Sequence, residues 1–312
     1  MKSSQTITAL LILLTSLVLT SCFKSELPVK KLKTTYANGE SQFAKVKGMD
    51  VHFRDEGPER ARPVLLLHDK GSSLHAFDKW ADTLKLNYRV IRLDLPGFGL
   101  TGPHPENDYS MKMYRDFLDE FMADLGIKWC YIVGNGLGGR LAWELTLAHP
   151  KRVKRIVLIG AEGYPITAEN MTMMDKKAGG TKIQQRIFRS FTSKQVVKKS
   201  IEMNYGDPSK ATGEQVKRQY DLLRRKGNRT AYISRANQDD YNRTRRIKNI
   251  GIPAMIMWGT EDKVAPIQHA SFFHRDLPNS KLKLYPDAGH YLQEELSSET
   301  AKDLMVFLKA RK

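Results

Sequence analysis

Short apolar runs alternate along this chain with segments of helical periodicity, and this alternation constrains the fold more than any other feature. Runs that are apolar throughout predict strands buried on both faces, as in a parallel sheet. Strands that alternate with helices predict that helices cover both faces of that sheet. The predicted strands are Val64–His68, Arg89–Leu93, Cys130–Val133 and Val153–Ile159, with helices at Met111–Leu125 and Arg140–Ala148. The predicted fold class is α/β.

The alternation stops near Glu162, and residues 162–248 are basic and helix-prone without an obvious buried strand. We expect this segment to be a helical cap over the carboxyl edge of the sheet, where open α/β sheets bind ligands. The core would then comprise residues 42–161 and 249–312. Its remaining elements are predicted as a hairpin of Phe43–Lys47 and Val51–Asp55, strands Ile252–Trp258 and Lys281–Tyr285, and a final helix Glu294–Lys309.

The first 21 residues have the pattern of a signal peptide, with Lys2 before an apolar run, Ile7–Leu19. The sequence Leu-Thr-Ser-Cys that ends at Cys22 resembles a bacterial lipobox. That resemblance implies acylation of Cys22, with palmitate as one acyl chain, and a tether at residues 22–41. An uncleaved signal anchor is the alternative, but the apolar run is short for a membrane span. Because Phe23 is not aspartate, we expect the outer membrane, facing the periplasm.

The chain carries a net charge of +17, and the charge is unevenly distributed. The segment Pro165–Ile250 has 20 Lys and Arg against 8 Asp and Glu. A basic surface near a lipid anchor can bind anionic headgroups, although a solvated helical surface is the simpler interpretation. No nucleic-acid recognition motif is present. Cys130 is expected to be a buried thiol, and no Cys and His cluster predicts a metal.

The segment from Ile132 to Gly139, Ile-Val-Gly-Asn-Gly-Leu-Gly-Gly, predicts a strand that turns sharply into a helix. Its glycines also match the dinucleotide pattern G-x-G-x-x-G, with Glu162 about twenty residues further on. Such a fingerprint normally opens its fold, whereas several predicted strands precede this one. We therefore expect no nucleotide cofactor.

Four further segments extend the pattern, and they occur in a fixed order. They are Val64-Leu-Leu-Leu-His-Asp-Lys-Gly71, Asp94-Leu-Pro-Gly-Phe-Gly99, Trp258-Gly-Thr-Glu-Asp262 and Gly289-His290. Together they resemble the α/β-hydrolase family, and in particular its capped members that hydrolyse esters or the carbon-carbon bonds of meta-cleavage products. The family's nucleophile turn reads G-x-S-x-G. Here Gly136 stands in place of the serine.

The resemblance implies a role for each matching residue. Asp262 would orient His290, which would act as general base and acid. The backbone of Leu137 and the loop at Lys70 would form the oxyanion hole. At the other departure from the family, Asp69 replaces a glycine of that loop and places a carboxylate where an oxyanion would form.

Three functions remain open from the sequence. The first is a pseudoenzyme whose pocket binds a small, partly apolar ligand under the cap. The second is an active hydrolase of ester or carbon-carbon bonds, in which His290 and Asp262 activate water. The third is an interaction protein whose basic cap binds anionic lipid or envelope polymer. An engineered or misread residue at Gly136, in an otherwise ordinary serine hydrolase, is a fourth interpretation.

Overall fold

The computed structural model describes residues 26–238 and 242–310, and its centre is one sheet of eight strands. The sheet order is β1-β2-β4-β3-β5-β6-β7-β8. The strands are β1 Ser41–Val46, β2 Met49–Glu56, β3 Pro63–Leu67, β4 Arg89–Leu93, β5 Cys130–Asn135, β6 Val153–Ile159, β7 Ala254–Gly259 and β8 Ser280–Tyr285. All the predicted strands are present, with ends shifted by at most two residues.

Strands β3 to β8 are parallel, whereas β1 and β2 form an antiparallel hairpin that pairs with β4. Lys47 and Gly48 both have positive φ at the hairpin turn, 47° and 74°, as a two-residue turn of the primed type requires. The predicted α/β class, with a mostly parallel sheet, is confirmed.

Helices cover both faces of the sheet, and the helices of the cap lie over its carboxyl edge. They are α1 Val29–Tyr36, α2 Asp78–Leu84, α3 Met111–Asp124, α4 Leu137–Ala148, α5 Met173–Ala178, α6 Lys182–Ser190, α7 Lys194–Glu202, α8 Gly213–Leu223, α9 Asn228–Ala236, α10 Gln268–Asp276, α11 Leu292–Glu295 and α12 Ser297–Lys309. The predicted final helix is divided, because Leu296 leaves helical geometry at φ −121° and ψ 42°.

The core consists of two apolar layers, one on each face of the sheet. Leu65 and Leu67 of β3 pack into one layer, and Val64 and Leu66 pack into the other. Side chains alternate between the faces of a strand, so a run without polar residues satisfies both layers. This requirement explains why β3 is apolar throughout.

The segment between β6 and β7 contains α5 to α9, together with short 3-10 turns, and no strand in its described residues. It covers the carboxyl ends of the parallel strands. This arrangement corresponds to the cap expected from the sequence.

The predicted tether differs from the structure, because α1 lies within it. Leu32 is buried with Leu222 of α8, and the Tyr36 hydroxyl donates to Asp221 Oδ2 at 2.7 Å. The tether prediction is therefore wrong for α1, because apolar and aromatic side chains one helical turn apart give that helix a face to pack. The predicted signal peptide and Cys22 lie outside the described residues.

Among the described residues, none of the helices combines the length and the apolar character needed to cross a bilayer.

Candidate active site

The site begins at the turn between β5 and α4, where Gly136 has φ 52° and ψ −113°. This backbone conformation strains any residue with a side chain. Gly134 and Gly138 allow the close packing of the turn, since a Cβ on Gly138 would lie 2.1 Å from the carbonyl oxygen of Leu67. The sharp turn expected from the glycines is present, and it directs position 136 toward the cap.

Asp262 and His290 meet at the same edge of the sheet, as the sequence predicted. Asp262 follows β7, and its Oδ1 accepts from the backbone N–H groups of Val264 and Ala265 at 2.9 and 2.8 Å. Its Oδ2 lies 2.8 Å from His290 Nδ1. The backbone N–H of His290 donates to Asn204 of the cap at 2.7 Å. The acid and the histidine are therefore held from both core and cap.

Asp69 occupies the space that a serine side chain at position 136 would need. A Cβ built on Gly136 would lie 2.0 Å from Asp69 Oδ1. The same oxygen accepts from the backbone N–H of Leu137 at 2.8 Å, which is the group predicted to stabilise an oxyanion. The carboxylate of Asp69 thus fills both the nucleophile position and part of the oxyanion hole.

The second carboxylate oxygen of Asp69 lies 3.5 Å from His290 Nε2, the atom that would take a proton from a serine or water. Burial alone would lower the pKa of His290, but the attraction and hydrogen bond of Asp262 and the nearby Asp69 raise it to about 10. For Asp69 the effect of burial has the opposite sign and would raise the pKa, but His290 and Lys70 hold the pKa below its ordinary value. Near neutral pH the site therefore contains an imidazolium between two carboxylates.

The side chain of Lys70 points away from this centre into a second ionic cluster. Lys70 Nζ lies 3.3 Å from Glu162 Oε1 and 3.6 Å from Asp175 Oδ1. Arg235 also approaches Glu162, at 3.7 Å. Burial opposes the charge on Lys70, but the surrounding carboxylates raise its pKa above the ordinary value. These pairs link the core loop after β3 to the cap.

A cavity of about 680 Å³ opens above Asp69 and His290. Its lining contains apolar and aromatic side chains, among them Tyr164, Ile166, Met171, Val264 and Ala265. The lining also contains charged side chains, among them Lys70, Arg140, Lys176, Arg235, Glu162 and Asp175. With His290 protonated, positive groups around the cavity outnumber negative ones. A small molecule with an apolar body and an anionic group would match both kinds of side chain.

The structure does not support a dinucleotide at this helix. A pyrophosphate would need the N-terminus of α4, where the Leu137 N–H already donates to Asp69. Glu162, the residue expected to bind a ribose, is paired with Lys70 and Arg235. Within residues 26–238 and 242–310, no group of three His, Cys, Asp or Glu side chains is arranged to hold a metal ion.

Residues 62–295 match the model of the family described as alpha/beta hydrolase fold. This chain belongs to that family. The match includes the β5–α4 turn, Asp262 and His290, so the family resemblance inferred from the motifs is confirmed.

Two curated relatives of this α/β-hydrolase family member show the range of similar proteins. The 2-hydroxy-6-oxononadienedioate/2-hydroxy-6-oxononatrienedioate hydrolase of Paraburkholderia phymatum is 26% identical over 83% of this chain and 90% of its own length. The dihydrolipoyllysine-residue acetyltransferase component of the acetoin cleaving system of Cupriavidus necator is 28% identical over 83% of this chain. That match spans only 66% of the relative's length.

Among solved structures, the meta-cleavage product hydrolase of Pseudomonas fluorescens IP01 is similar, with a TM-score of 0.75. It is 25% identical and is matched over 86% of this chain and 97% of its own. The similarity of fold therefore extends over most of both chains.

Sequence reasoning identified Gly136, Asp69, Asp262 and His290 but not their full arrangement. The motif spacing predicts that they share one edge of the sheet, and the structure brings them together. The motif spacing does not predict that the Asp69 carboxylate occupies the place of the missing serine side chain. The pairing of Lys70 with cap carboxylates was also missed, because Glu162 is 92 residues away in the chain and no local pattern connects them.

Proposed function

We propose that this protein is a pseudoenzyme of the α/β-hydrolase family, which binds a small amphipathic anion under its cap and does not catalyse ordinary serine hydrolysis. The observation that carries the proposal is the position of Asp69. Its carboxylate fills the space of the missing serine and accepts the Leu137 N–H that an oxyanion would need.

The state of His290 further disfavours a hydrolase that activates water directly. A general base must be unprotonated and must have its accepting nitrogen available. Burial lowers the pKa of His290, but Asp262 and Asp69 outweigh this effect and raise it to about 10. Its Nε2 faces Asp69 instead of open space. Water activation by His290 would therefore require the loss of an ion pair.

The remaining cavity suits binding. Its volume of about 680 Å³ lies in the range of small-molecule sites. Apolar and aromatic side chains such as Tyr164 and Val264 would contact the body of the ligand, and the cationic side chains would attract its anionic group. The ligand class is therefore a carboxylate or similar anion with a short apolar chain or ring.

Four forms of the protein test the missing catalysis. They are the wild type, Gly136→Ser, Asp69→Gly and the double variant, each assayed with nitrophenyl butyrate and with a fluorophosphonate that labels active serines. We expect hydrolysis and labelling in the double variant only, at a rate at least about 10³-fold above the wild type. Gly136→Ser alone should stay inactive, because Asp69 occupies the space of the new side chain.

Two results would contradict the proposal. Turnover by the wild type that disappears in His290→Ala would identify an active hydrolase that uses water. Equal activity in Gly136→Ser and the double variant would show that Asp69 does not block the site.

Ligand binding is tested in the same preparations by titration with octanoate, using uncharged octanamide for comparison. Saturable binding of octanoate, weakened about fivefold in Lys176→Gln by loss of a nearby charge, is the expected result. Lys177→Gln is the matched control, because the neighbouring lysine is not among the residues that line the cavity. Equal binding of both probes would argue against an anion site.

We further propose that Cys22 carries the lipid anchor, which would place the domain at the cell envelope, at the outer membrane facing the periplasm. The lipobox-like sequence and the apolar run before it support this. Metabolic labelling with a palmitate analogue should occur in the wild type and be lost in Cys22→Ser. Labelling that persists in the variant would contradict attachment at this cysteine.

A further inference from the structure

Helix α6 of the cap, Lys182–Ser190, exposes apolar side chains to solvent. Ile183 is 73% exposed, Ile187 is 54% exposed, and Phe191 just after the helix is 48% exposed. Residues four apart lie on one face of a helix, so Ile183 and Ile187 lie next to each other on α6, and Phe191 follows directly after the helix end. These three exposed side chains are called the stripe. Single exposed apolar residues are ordinary, whereas a continuous patch marks an interaction site.

The helix is attached to the cap by its opposite flank. Phe188 is almost fully buried, and its ring lies 5.6 Å from that of Tyr232 in α9. The threonine before the helix, Thr181, accepts from the Gln184 N–H and forms a capping box with it, which fixes the helix start. The stripe is thus presented by a helix with a defined position.

Basic residues accompany the stripe on the same helix. Lys182, Arg186 and Arg189 are all exposed. A helix with a polar, cationic side and exposed Ile and Phe has the composition of helices that lie in the interface of anionic membranes. The charge excess of the cap extends this potential beyond α6.

The amino-terminal chain lies close to the carboxyl end of α6. The backbone N–H of Leu27 donates to Arg224 at 2.7 Å, and Glu26 Oε1 accepts from the Gly227 N–H at 3.4 Å. In the same part of the cap, Arg229 donates to the carbonyl oxygen of Ser190, the last residue of α6, at 3.1 Å.

This proximity limits where an anchor at Cys22 could enter a membrane. Three residues separate Cys22 from Glu26, so the chain between them makes four steps, each of which spans at most about 3.6 Å. A lipid on Cys22 would therefore reach a bilayer within about 15 Å of Glu26, on the side of the cap that holds the end of α6.

We propose that the stripe of Ile183, Ile187 and Phe191 docks on an anionic lipid membrane, so that the cap faces the bilayer beside the anchor. The inference rests on the proposed function only for the anchor at Cys22 and is independent of ligand binding in the cavity. A second copy of the chain is a poorer occupant, because it would bring the same basic residues face to face.

The test uses the chain from Cys22 onward with Cys22→Ser, which retains every described residue and has no acyl group. It is mixed with vesicles of phosphatidylglycerol and phosphatidylcholine, and sedimentation measures the bound fraction. We expect binding to the anionic vesicles that falls in 0.5 M salt, given a screening length of about 4 Å there. The variant Ile183→Ser/Ile187→Ser should bind at least about tenfold less.

Two exposed apolar residues that lie outside the cap provide a matched control. Leu86 is 74% exposed and Val306 is 71% exposed, so Leu86→Ser/Val306→Ser makes a similar chemical change away from the cap. This variant should bind like the wild type. A tryptophan placed at Ile187 should shift its emission to the blue on binding and be quenched by brominated lipid, whereas one at Leu86 should do neither.

Three results would overturn the proposal. These are an absence of binding to anionic vesicles, equal binding by the α6 variant, or a dimer that dissociates in the α6 variant without membrane binding. Circular dichroism and octanoate titration on each variant confirm that the fold and the cavity are intact. Because the stripe residues do not line the cavity, failure of membrane docking and failure of ligand binding are separately visible.

Discussion

The two halves of the site differ in how closely they keep the arrangement of a hydrolase. On one side, Asp262 and His290 retain a hydrogen bond of 2.8 Å, with the carboxylate held by two backbone N–H groups. On the other side, the nucleophile is absent and Asp69 fills its place. One half therefore keeps the geometry of an acid–histidine pair, and the other has a carboxylate where a serine side chain would lie.

Two positions, 69 and 136, carry the departures from the family's pattern that meet in this site. The glycines around the turn, the strand ends and the acid loop all keep the geometry that a nucleophile would need. Asp262 and His290 now place a positive charge next to the carboxylate of Asp69. The retained half therefore stabilises the altered half.

The largest expected effect on the free energy of unfolding comes from a serine at position 136 while Asp69 is still present. Gly136→Ser should lower the free energy of unfolding by about 3 kcal/mol or more, from backbone strain and overlap with the carboxylate. In the Asp69→Gly background the overlap is gone, and the same change should cost about 1 to 2 kcal/mol. Urea unfolding of the four forms gives the coupling energy.

Gly126 provides a control for the cost of a side chain at positive φ without steric overlap. It has φ 67°, and a Cβ there would have no atom within 4 Å. Gly126→Ser should therefore cost only the backbone term. If Gly136→Ser costs no more than Gly126→Ser, the carboxylate does not occupy the position described.

A smaller effect concerns the charge of the retained half. Because the folded pKa of His290 is raised to about 10, its stabilising contribution is complete below the unfolded value near 6.5 and is lost as the pH rises through 10. The free energy of unfolding should fall between pH 6.5 and 10 by a few kcal/mol more in the wild type than in His290→Gln.

The matched control for this titration is His274→Gln, at an exposed histidine bonded to Ser280. This variant should follow the wild-type profile across the same pH range. Identical profiles for the wild type and His290→Gln would show that His290 is not held in its charged form.

The sequence was sufficient to predict the sheet, the cap and the meeting of Asp262 with His290. Strands such as β3 must be apolar on both faces, and the glycines of the turn permit one close approach of backbone. Both constraints are local, so they are readable from short segments. Chain order then places the catalytic positions at one edge of the sheet.

Other features depend on contacts between distant segments and could not be predicted in this way. The direction of the Asp69 side chain is set by the Leu137 N–H and by His290, neither of which is near it in the chain. The lysines of helix α1 favour a solvated tether, whereas Leu32 and Tyr36 provide a face that packs on α8.

The overlap between Asp69 and a side chain at position 136 also has an evolutionary consequence. Under the proposed function, a single substitution at either position would leave the protein without serine-hydrolase activity, because Gly136→Ser meets the carboxylate and Asp69→Gly leaves no nucleophile. A lineage with this pair would have to change position 69 before a serine at position 136 becomes acceptable, and that first step would bring no activity. The order of mutations would then make the proposed loss of catalysis easier to acquire than to reverse.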